Sequence, residues 1–400
     1  MYSAIVSATN HPDPYHPYMG LFNFRSIKAI GENGVDLNVV SPRPIAPPLG
    51  PYSEFRNIPA EYTYNSHVVH YPRFAYLIPQ KIFRYTLSAR SISQRLPRFL
   101  ERNFNEPDIA HAGHIHYDGY ALLPYCRKHG IPFTVMGRGK ILNNYDSLSR
   151  IAQSKIDTVL DECSHIFCVS DSLAEIASEI TDHSKVSTLA NGANPDWYPT
   201  DRRDDIRNEL EIDKYKTVVL FCGGFTKRKG IHEIIEALND IKNKNVQLVF
   251  VGHYGNLRDQ LLEALKNSHH DSYNVLWNVP PLALRRWYTA ADILILPSHA
   301  EGRPNVVYEA MASKTAVIGT DVSGIPEQVN DDKTGILIPP KNVQALSHAL
   351  NHLIENEDKR ERMGDNGLKR LHQKGWTWTD HAHQMMEIHS SIIQRYQHDL

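Results

Sequence analysis

The chain has 400 residues, the length of two ordinary domains, which excludes a single small binding module. Hydrophobic residues make up 41% and charged residues 22%, so long disordered or fibrous segments are not expected. The 43 basic and 45 acidic side chains leave a formal net charge of −2, whereas a dedicated nucleic-acid-binding protein would be clearly basic. We therefore expect a globular protein that does not bind nucleic acid.

The cysteines and the first residues indicate a reducing compartment. Cys126, Cys163, Cys168 and Cys222 form no C-x-x-C pair of the kind that binds a metal. The first ten residues turn polar too early for a secretory signal peptide, and no apolar run approaches the ~20 residues of a membrane span. These features predict a cytoplasmic protein that is not inserted in a membrane.

Predicted strands and helices alternate along the whole chain. Runs of β-branched residues between turn residues are typical of strands, and apolar residues at i, i+3 and i+4 are typical of helices. The predicted strands lie at residues 4–8, 37–40, 67–70, 132–135, 165–169, 186–189, 217–222, 246–251, 274–277, 292–296, 315–318 and 335–338. The clearest predicted helices lie at 231–241, 257–266 and 379–396. This alternation favours an α/β fold with parallel sheets.

A turn-rich break at residues 191–195 separates two doubly wound domains. It directly follows a predicted strand and precedes the charged segment 201–213. We place an N-terminal domain at 1–191 and a C-terminal domain at 192–375. Residues 376–400 come after the second sheet is complete, and we expect their helix to cross back to the first domain.

The segment 297–312 is the most informative part of the chain. A strand ends at Pro297, a polar loop follows, and a helix is expected to begin at Pro304, since proline suits the first helical turn. The loop leaves the carboxyl end of a parallel strand, where open α/β sheets bind ligands, and the amides at a helix start favour phosphate. Glu301 and Glu309, with seven residues between them, flank this turn. The alternative is an ordinary loop with two solvated glutamates.

A second glycine-rich block occupies residues 221–230. Gly223 and Gly224 follow the first predicted strand of the second domain, and Lys227, Arg228 and Lys229 come just before a helix. Cations and backbone amides can stabilise the charge on a departing phosphate. A solvated basic turn is the alternative.

Together these blocks, with 324–327 and 334–340, resemble the signature of the retaining glycosyltransferases of family four. The resemblance implies the GT-B fold, in which two Rossmann-like domains face each other across a cleft. It implies transfer of a sugar from a nucleotide sugar, such as a UDP-sugar, to a glycan or lipid-linked acceptor, with no metal and no cofactor. The second domain would hold the donor and the first the acceptor. A GT-B epimerase or phosphorylase, or a non-catalytic two-domain sugar-binding protein, is the alternative.

The resemblance also assigns roles to residues of the second domain. Glu301 would contact the donor sugar, Glu309 the ribose hydroxyls and Lys229 the diphosphate. With Arg228, which is close to Lys229 in the sequence, Glu301 and Lys229 form the expected catalytic set. The family has an arginine where this chain has Gly224, so Arg228 or Arg303 is expected to compensate. The expected donor-binding residues are Gly223, Gly224, Lys229, Gly302, Arg303, Pro304, Asn305, Val306 and Glu309. We favour front-face attack, in which the leaving phosphate takes the acceptor proton, over a covalent intermediate on Glu301.

The acceptor side is expected in the first domain. Gly20 resembles the family's glycine loop, and residues 111–119 resemble its histidine-containing segment. Where the family often has His-Gly-x-Asp, residues 136–139 read Met-Gly-Arg-Gly. Arg138, or a histidine of the 111–116 segment, would then replace the missing histidine. The expected acceptor-side residues are Gly20, His111, His114, His116 and Arg138.

Residues 73–98 carry a local excess of positive charge that the overall balance hides. Their basic residues are Arg73, Lys81, Arg84, Arg90, Arg95 and Arg98, with apolar residues between them and no acidic residue. A basic amphipathic segment of this kind can lie on an anionic membrane surface. The sequence thus predicts peripheral contact with the inner face of the membrane, with a solvated helix as the alternative.

Overall fold

The structure is a computed structural model that describes residues 1–45, 53–64, 67–75 and 84–398. The chain forms two compact units. Unit 1 joins Met1–Asn191 to the C-terminal helix, and unit 2 spans Gly192–Thr377. Each unit is an α/β structure built on its own sheet.

Unit 1 is built on a sheet that has eight strands within the described ranges, in the order β10-β9-β8-β7-β1-β2-β5-β4. All neighbours are parallel except β4 and β5, which are antiparallel. The strands of unit 1, including the separate β3–β6 pair, are β1 Ser3–Ser7, β2 Asp36–Val40, β3 Arg43–Pro44, β4 Glu61–Thr63, β5 Val68–His70, β6 Arg73–Phe74, β7 Ile109–Ala112, β8 Phe133–Gly137, β9 His165–Cys168 and β10 Val186–Thr188. The central strands β7 and β8 are buried along their whole length, as expected for a parallel sheet covered on both faces.

The helices of unit 1 connect these strands and cover the sheet. They are α1 Leu21–Glu32, α2 Ala89–Asn103, α3 Tyr120–His129, α4 Gly139–Leu142, α5 Arg150–Glu162, α6 Asp171–Ile180 and the C-terminal α15 Trp378–His398. α5 and α6 begin with serine caps, Ser149 and Ser170, whose hydroxyls accept hydrogen bonds from backbone amides of the first turn.

The burial of helix α2 bears on the prediction that segment 73–98 contacts a membrane. Its apolar residues Ile92, Leu96 and Leu100 are each at most 1% exposed, so its apolar face packs into the protein. Residues 76–83 of the predicted segment lie outside the described residues. The apolar face of α2 is therefore buried in the core, whereas Leu87, just before this helix, is 46% exposed.

Unit 2 is built on a parallel sheet in the order β13-β12-β11-β14-β15-β16. Its strands are β11 Thr217–Cys222, β12 Val246–Gly252, β13 Tyr273–Trp277, β14 Ile293–Leu296, β15 Ala316–Thr320 and β16 Gly335–Ile338. Its helices are α7 Arg203–Glu209, α8 Ile231–Ala237, α9 Arg258–Asn267, α10 Pro281–Ala290, α11 Asn305–Ala312, α12 Ile325–Gln328, α13 Val343–Glu355 and α14 Glu357–Gln373. Phe221, Phe250 and Ile293 from the three central strands form part of a continuous buried core that α8, α9 and α13 complete.

Candidate functional site

Two loops of unit 2 leave neighbouring strands at the point where the strand order reverses. β11 and β14 lie side by side in the middle of the sheet, with Leu220 opposite Leu294. The chain runs outward from β11 to β12 and β13 on one side, and from β14 to β15 and β16 on the other. Loops at the carboxyl side of such a switch point form the ligand-binding crevice of open α/β sheets. These loops contain both motifs of the second domain.

Lys229 and Glu301, one from each loop, form a buried ion pair. Lys229 Nζ donates to Glu301 Oε1 at 2.5 Å, and Ser298 Oγ donates to the same oxygen at 2.7 Å. The Lys229 and Glu301 side chains are only 11% and 9% exposed. An ammonium group has three N–H donors, so Lys229 can hold Glu301 and still donate to a ligand. The structure thus brings two residues of the predicted catalytic set together.

Arg228 joins the same two loops but remains open to solvent. Its guanidinium donates to the Ala300 carbonyl at 2.8 Å, and its own carbonyl accepts from the His299 amide at 2.8 Å. Arg228 Nη1 also lies 3.7 Å from Glu301 Oε2, and the side chain is 51% exposed. The Arg228 charge is therefore near the ion pair and accessible to an anion.

The close approach of the two loops requires glycine at position 230. Gly230 has φ 75°, in the left-handed region, and a Cβ there would lie 2.1 Å from the Pro297 carbonyl oxygen. No other residue type fits without separating the loops. Gly230 therefore fixes the distance across which Lys229 reaches Glu301.

The glycine turn before this site is covered by Tyr254, which the sequence analysis did not identify. A Cβ on Gly224 would lie 2.2 Å from Tyr254 Cζ and 2.7 Å from its hydroxyl oxygen. The Phe225 amide donates to the Tyr254 carbonyl at 2.8 Å, which fixes the loop after β12 against this turn. The neighbouring His253 has its pKa lowered by burial and by the Lys229 charge. The tyrosine ring therefore occupies the space into which a larger side chain at 224 would extend.

The loop after β14 leads into α11, which carries the second glutamate. Pro304 directly precedes the first helical residue, Asn305, so the helix begins where it was predicted to begin. The Gly302 carbonyl accepts a hydrogen bond from the Gly324 amide at 2.9 Å, which holds this loop against the next one. Val306 is partly exposed, whereas Glu309 is 4% exposed.

Arg303 lies in the packed interior of unit 2. Its guanidinium is 4.7 Å from the centre of the Trp376 ring, and Nη1 lies 3.6 Å from Glu327 Oε2. The Arg303 side chain is only 3% exposed. These contacts explain its burial without a ligand, and they do not favour the prediction that Arg303 compensates for Gly224.

Unit 1 has an equivalent switch point between β1 and β7, where a buried carboxylate organises two loops. Asp118 accepts hydrogen bonds from the Thr9 amide at 2.7 Å and from Ser7 Oγ at 3.2 Å. Its other oxygen lies 3.2 Å from His114 Nδ1, and the Asp118 side chain is fully buried. Asp118 therefore orients His114, one of the predicted acceptor-side residues.

A cavity of about 500 Å³ opens beside His114. Its lining includes Arg138 and His116 from the predicted set, together with Lys140 and several aromatic rings. Gly20 does not line this cavity, but it has φ 62°, and a Cβ there would lie 2.0 Å from the Asn10 carbonyl oxygen. Gly20 thus allows α1 to start directly against the loop after β1.

His111 is separated from this cavity. It lies in β7 and is 5% exposed, with Nδ1 2.8 Å from Thr134 Oγ1. Thr134 Oγ1 is in turn 3.0 Å from Nε2 of His389 on the C-terminal helix. Burial lowers the pKa of His111 well below its usual value. His111 therefore has a packing role, and the prediction of an acceptor-side position is not supported.

Two further predictions concern metals and membranes. Among the described residues, no group of three or more His, Cys, Asp or Glu side chains is placed to hold a metal ion. Within the same part of the chain, no helix combines the length and the apolarity needed to cross a membrane.

Both halves of the chain match models of glycosyltransferase families. Residues 19–197 match the family model Glycosyltransferase Family 4, and residues 202–370 match the model Glycosyl transferases group 1. A Bacillus subtilis protein named for teichuronic acid biosynthesis, the glycosyltransferase TuaC, is 26% identical over 85% of this chain and 86% of its own length.

Solved structures share the fold over almost the whole chain. Sucrose-phosphate synthase from Thermosynechococcus elongatus superposes with a TM-score of 0.79 at 19% identity, covering 98% of this chain and 99% of that one. Anabaena HepE in complex with UDP and glucose superposes with a TM-score of 0.71 at 16% identity, covering 98% and 100%. The expected α/β architecture of two doubly wound units is confirmed as that of the GT-B structures.

Proposed function

Because the chain belongs to the family 4 glycosyltransferases and has their GT-B fold, we propose that it transfers a hexose from a UDP-sugar to a glycan or lipid-linked acceptor with retention of anomeric configuration. The observation that carries the proposal is the Lys229–Glu301 pair at the switch point of unit 2. The complex of HepE with UDP and glucose and the biosynthetic role in the name of TuaC support the choice of donor and of a glycan acceptor.

Lys229 supplies the charge that this reaction needs. When the bond between the anomeric carbon and the diphosphate breaks, negative charge develops on the departing phosphate oxygen. A buried ammonium that is already oriented stabilises that charge with little reorganisation, and the exposed Arg228 lies beside it. Since these side chains supply positive charge, we expect transfer to continue in the presence of EDTA.

Glu301 is better arranged to bind the donor sugar than to attack it. One of its oxygens accepts hydrogen bonds from both Lys229 and Ser298, which lowers its nucleophilicity. The other oxygen can accept a hydrogen bond from a sugar hydroxyl. We therefore favour the front-face route: the bond to the diphosphate breaks, the acceptor oxygen bonds to the anomeric carbon on the same face, and its proton passes to the leaving phosphate.

Transfer of label from radioactive UDP-sugars to membrane-derived or oligosaccharide acceptors tests this proposal. The variants K229A and E301Q should each lower transfer at least ~100-fold, the scale of losing a positioned electrostatic group. K227A is the matched control, because Lys227 is exposed in the same short turn and should leave transfer unchanged. NMR of the product should show the anomeric configuration of the donor. Full activity in K229A, an inverted product, or label that stays on the nucleotide would contradict the proposal.

A further inference from the structure

The cavity in unit 1 combines aromatic surface with positive charge. It is formed by the loops that follow β1, β7 and β8 together with the β3–β6 pair, and has a volume of about 500 Å³, large enough for one or two sugar rings. Its aromatic walls are Phe22, Phe55, Phe74 and Tyr117. Its nitrogen-bearing side chains are Arg43, Arg138, Lys140, His114 and His116, together with Asn10. No Asp or Glu belongs to the lining formed by the described residues.

Two carboxylates that contact lining residues, Asp13 and Asp118, already have partners. Asp13 lies 3.1 Å from Arg43 Nη2, and both side chains are at most 1% exposed. Asp118 is engaged by Thr9, Ser7 and His114, as described above. Arg43 is therefore neutralised within the protein. The remaining permanent cations of the lining are Lys140, which is exposed, and Arg138, which is partly buried.

Arg138 is held by neutral groups. Its guanidinium donates to the Asn23 side-chain oxygen at 2.9 Å, to the Gly113 carbonyl at 3.3 Å and to the Asn191 side-chain oxygen at 3.5 Å. It also lies 4.2 Å from the centre of the Phe22 ring. No carboxylate of the described chain lies within salt-bridge distance of it. Burial lowers the Arg138 pKa to about 9, an effect that the negative charge of Asp118 opposes only in part.

The position of Arg138 is fixed in advance of any ligand. Asn23, which accepts its shortest hydrogen bond, itself donates to the Asn10 carbonyl at 2.7 Å. Gly20 makes that contact possible, because any larger residue would collide with the same carbonyl. A guanidinium held in this way has little conformational entropy left to lose when it binds an oxyanion.

We propose that this cavity binds an acidic sugar acceptor, whose carboxylate or phosphate pairs with Arg138 while its ring packs on the aromatic walls. This inference deepens the proposed function, on which it rests, by naming the acceptor class. A sugar without an anionic group would leave the Arg138 guanidinium without an ion-pair partner, so the cavity discriminates against neutral acceptors. The oxyanion can come from a uronic acid or from a sugar phosphate, and the two are distinguished experimentally.

Binding measurements on the full-length chain test the inference. Glucuronate, glucose 6-phosphate and glucose are titrated separately, by calorimetry or ligand-observed NMR, and UDP is titrated in parallel. At least one acidic sugar should bind about tenfold or more tightly than glucose, the scale of a charged hydrogen-bonded pair. A preference for glucuronate identifies the carboxylate, and a preference for glucose 6-phosphate identifies the phosphate.

Variants assign the effect to Arg138. R138M keeps most of the aliphatic stem and should lose the preference for the acidic sugar, whereas R138K should retain part of it. R98M removes an exposed arginine of α2 that does not line the cavity and serves as the matched control. In transfer assays, R138M should raise KM for acidic acceptors more than it lowers kcat. Melting curves of each variant confirm that it is folded.

The outcomes separate this inference from the proposed function. If UDP binds but the three sugars bind equally, or none binds at millimolar concentration, or R138M keeps the acidic preference, the acidic-acceptor inference is wrong and the proposed donor site stands. If no UDP-sugar or UDP binds, the proposed function itself fails.

Discussion

Replacing Gly230 by alanine tests whether the approach of the two loops of unit 2 builds the site. Alanine there faces two costs. The left-handed backbone costs about 1–2 kcal/mol for a residue with a Cβ. The new Cβ would also lie 2.1 Å from the carbonyl oxygen of Pro297 and 2.8 Å from the Cγ atom of the same proline. Overpacking of this kind costs about 1–3 kcal/mol more. The expected loss in the free energy of unfolding is therefore about 2–5 kcal/mol.

Gly130 provides the matched control. It has φ 64° and ψ 28°, against 75° and 27° for Gly230, but a Cβ at Gly130 would meet no atom within 4 Å. G130A should therefore show the backbone cost alone, and the difference between the variants measures the collision with Pro297. Urea unfolding followed by circular dichroism gives both values, with the two units fitted separately if their transitions differ.

Activity should respond in the same direction as stability. Relief of the collision must move the loops of Lys229 and Glu301 apart, and a misplacement of about 1 Å can cost ~100-fold in rate. Gly130 ends α3 in unit 1, away from the chain segments that hold Lys229 and Glu301, so G130A should keep its activity. If G230A is no less stable than G130A and transfers sugar at the wild-type rate, the close loop approach is not what assembles the site.

Three more predictions follow from particular contacts. G224R should lower nucleotide affinity, because the ring of Tyr254 fills the space that the arginine side chain needs. The double variant G224R/Y254A should recover the affinity, and an equal loss of affinity in G224R and G224R/Y254A would refute the role of Tyr254. D118N alters a buried carboxylate that accepts hydrogen bonds, so it should lower transfer about tenfold or more and lower the free energy of unfolding by about 1–3 kcal/mol. D36N, at an exposed position, should leave both transfer and stability unchanged. Burial lowers the pKa of His389 from 6.5 to about 3, so the neutral, buried imidazole costs the folded state nothing above pH 6.5, whereas stability is lost as the pH falls below 6.5. The free energy of unfolding should therefore fall between pH 7 and pH 5 by about 2 kcal/mol more in the wild type than in H389Q. An equal fall in both proteins would contradict this.

The parallel strands were predictable because their residues are buried on both faces. The predicted bounds 217–222 and 335–338 agree with β11 Thr217–Cys222 and β16 Gly335–Ile338. β7 was missed because it has only four residues, Ile-Ala-His-Ala, of which only Ile109 is β-branched, although the strand is central in the sheet. β4, an exposed antiparallel strand of three residues, was missed for the same reason.

The candidate site was predictable only where its chemistry lies in one continuous motif. Glu301 and Lys229 stand out in their own segments, but their pairing depends on the adjacency of β11 and β14. Asp118 could have been found, because it follows His114 by four residues at the same sheet edge. Tyr254 could not, since its contact with Gly224 arises only when the loop after β12 folds onto the glycine turn.

The partner of the apolar face in the amphipathic segment 73–98 could not be predicted from the sequence. The alternation of basic and apolar residues in 89–103 is equally suited to a membrane surface and to a protein core. Burial of Leu96 and Leu100 shows that the apolar face packs inward. Periodicity identifies a helix with an apolar face, but the partner of that face depends on tertiary packing.

The most direct test of the central claim is a calorimetric titration of the wild type, K229A and K227A with UDP, GDP and ADP. At least one nucleoside diphosphate should bind to the wild type and to K227A, and UDP should bind most tightly. K229A should weaken this binding about tenfold or more, since a charged hydrogen-bonded pair is lost. Absence of binding by all three nucleotides, or equal affinity in K229A and the wild type, would contradict the assignment of the Lys229–Glu301 pair as the donor site.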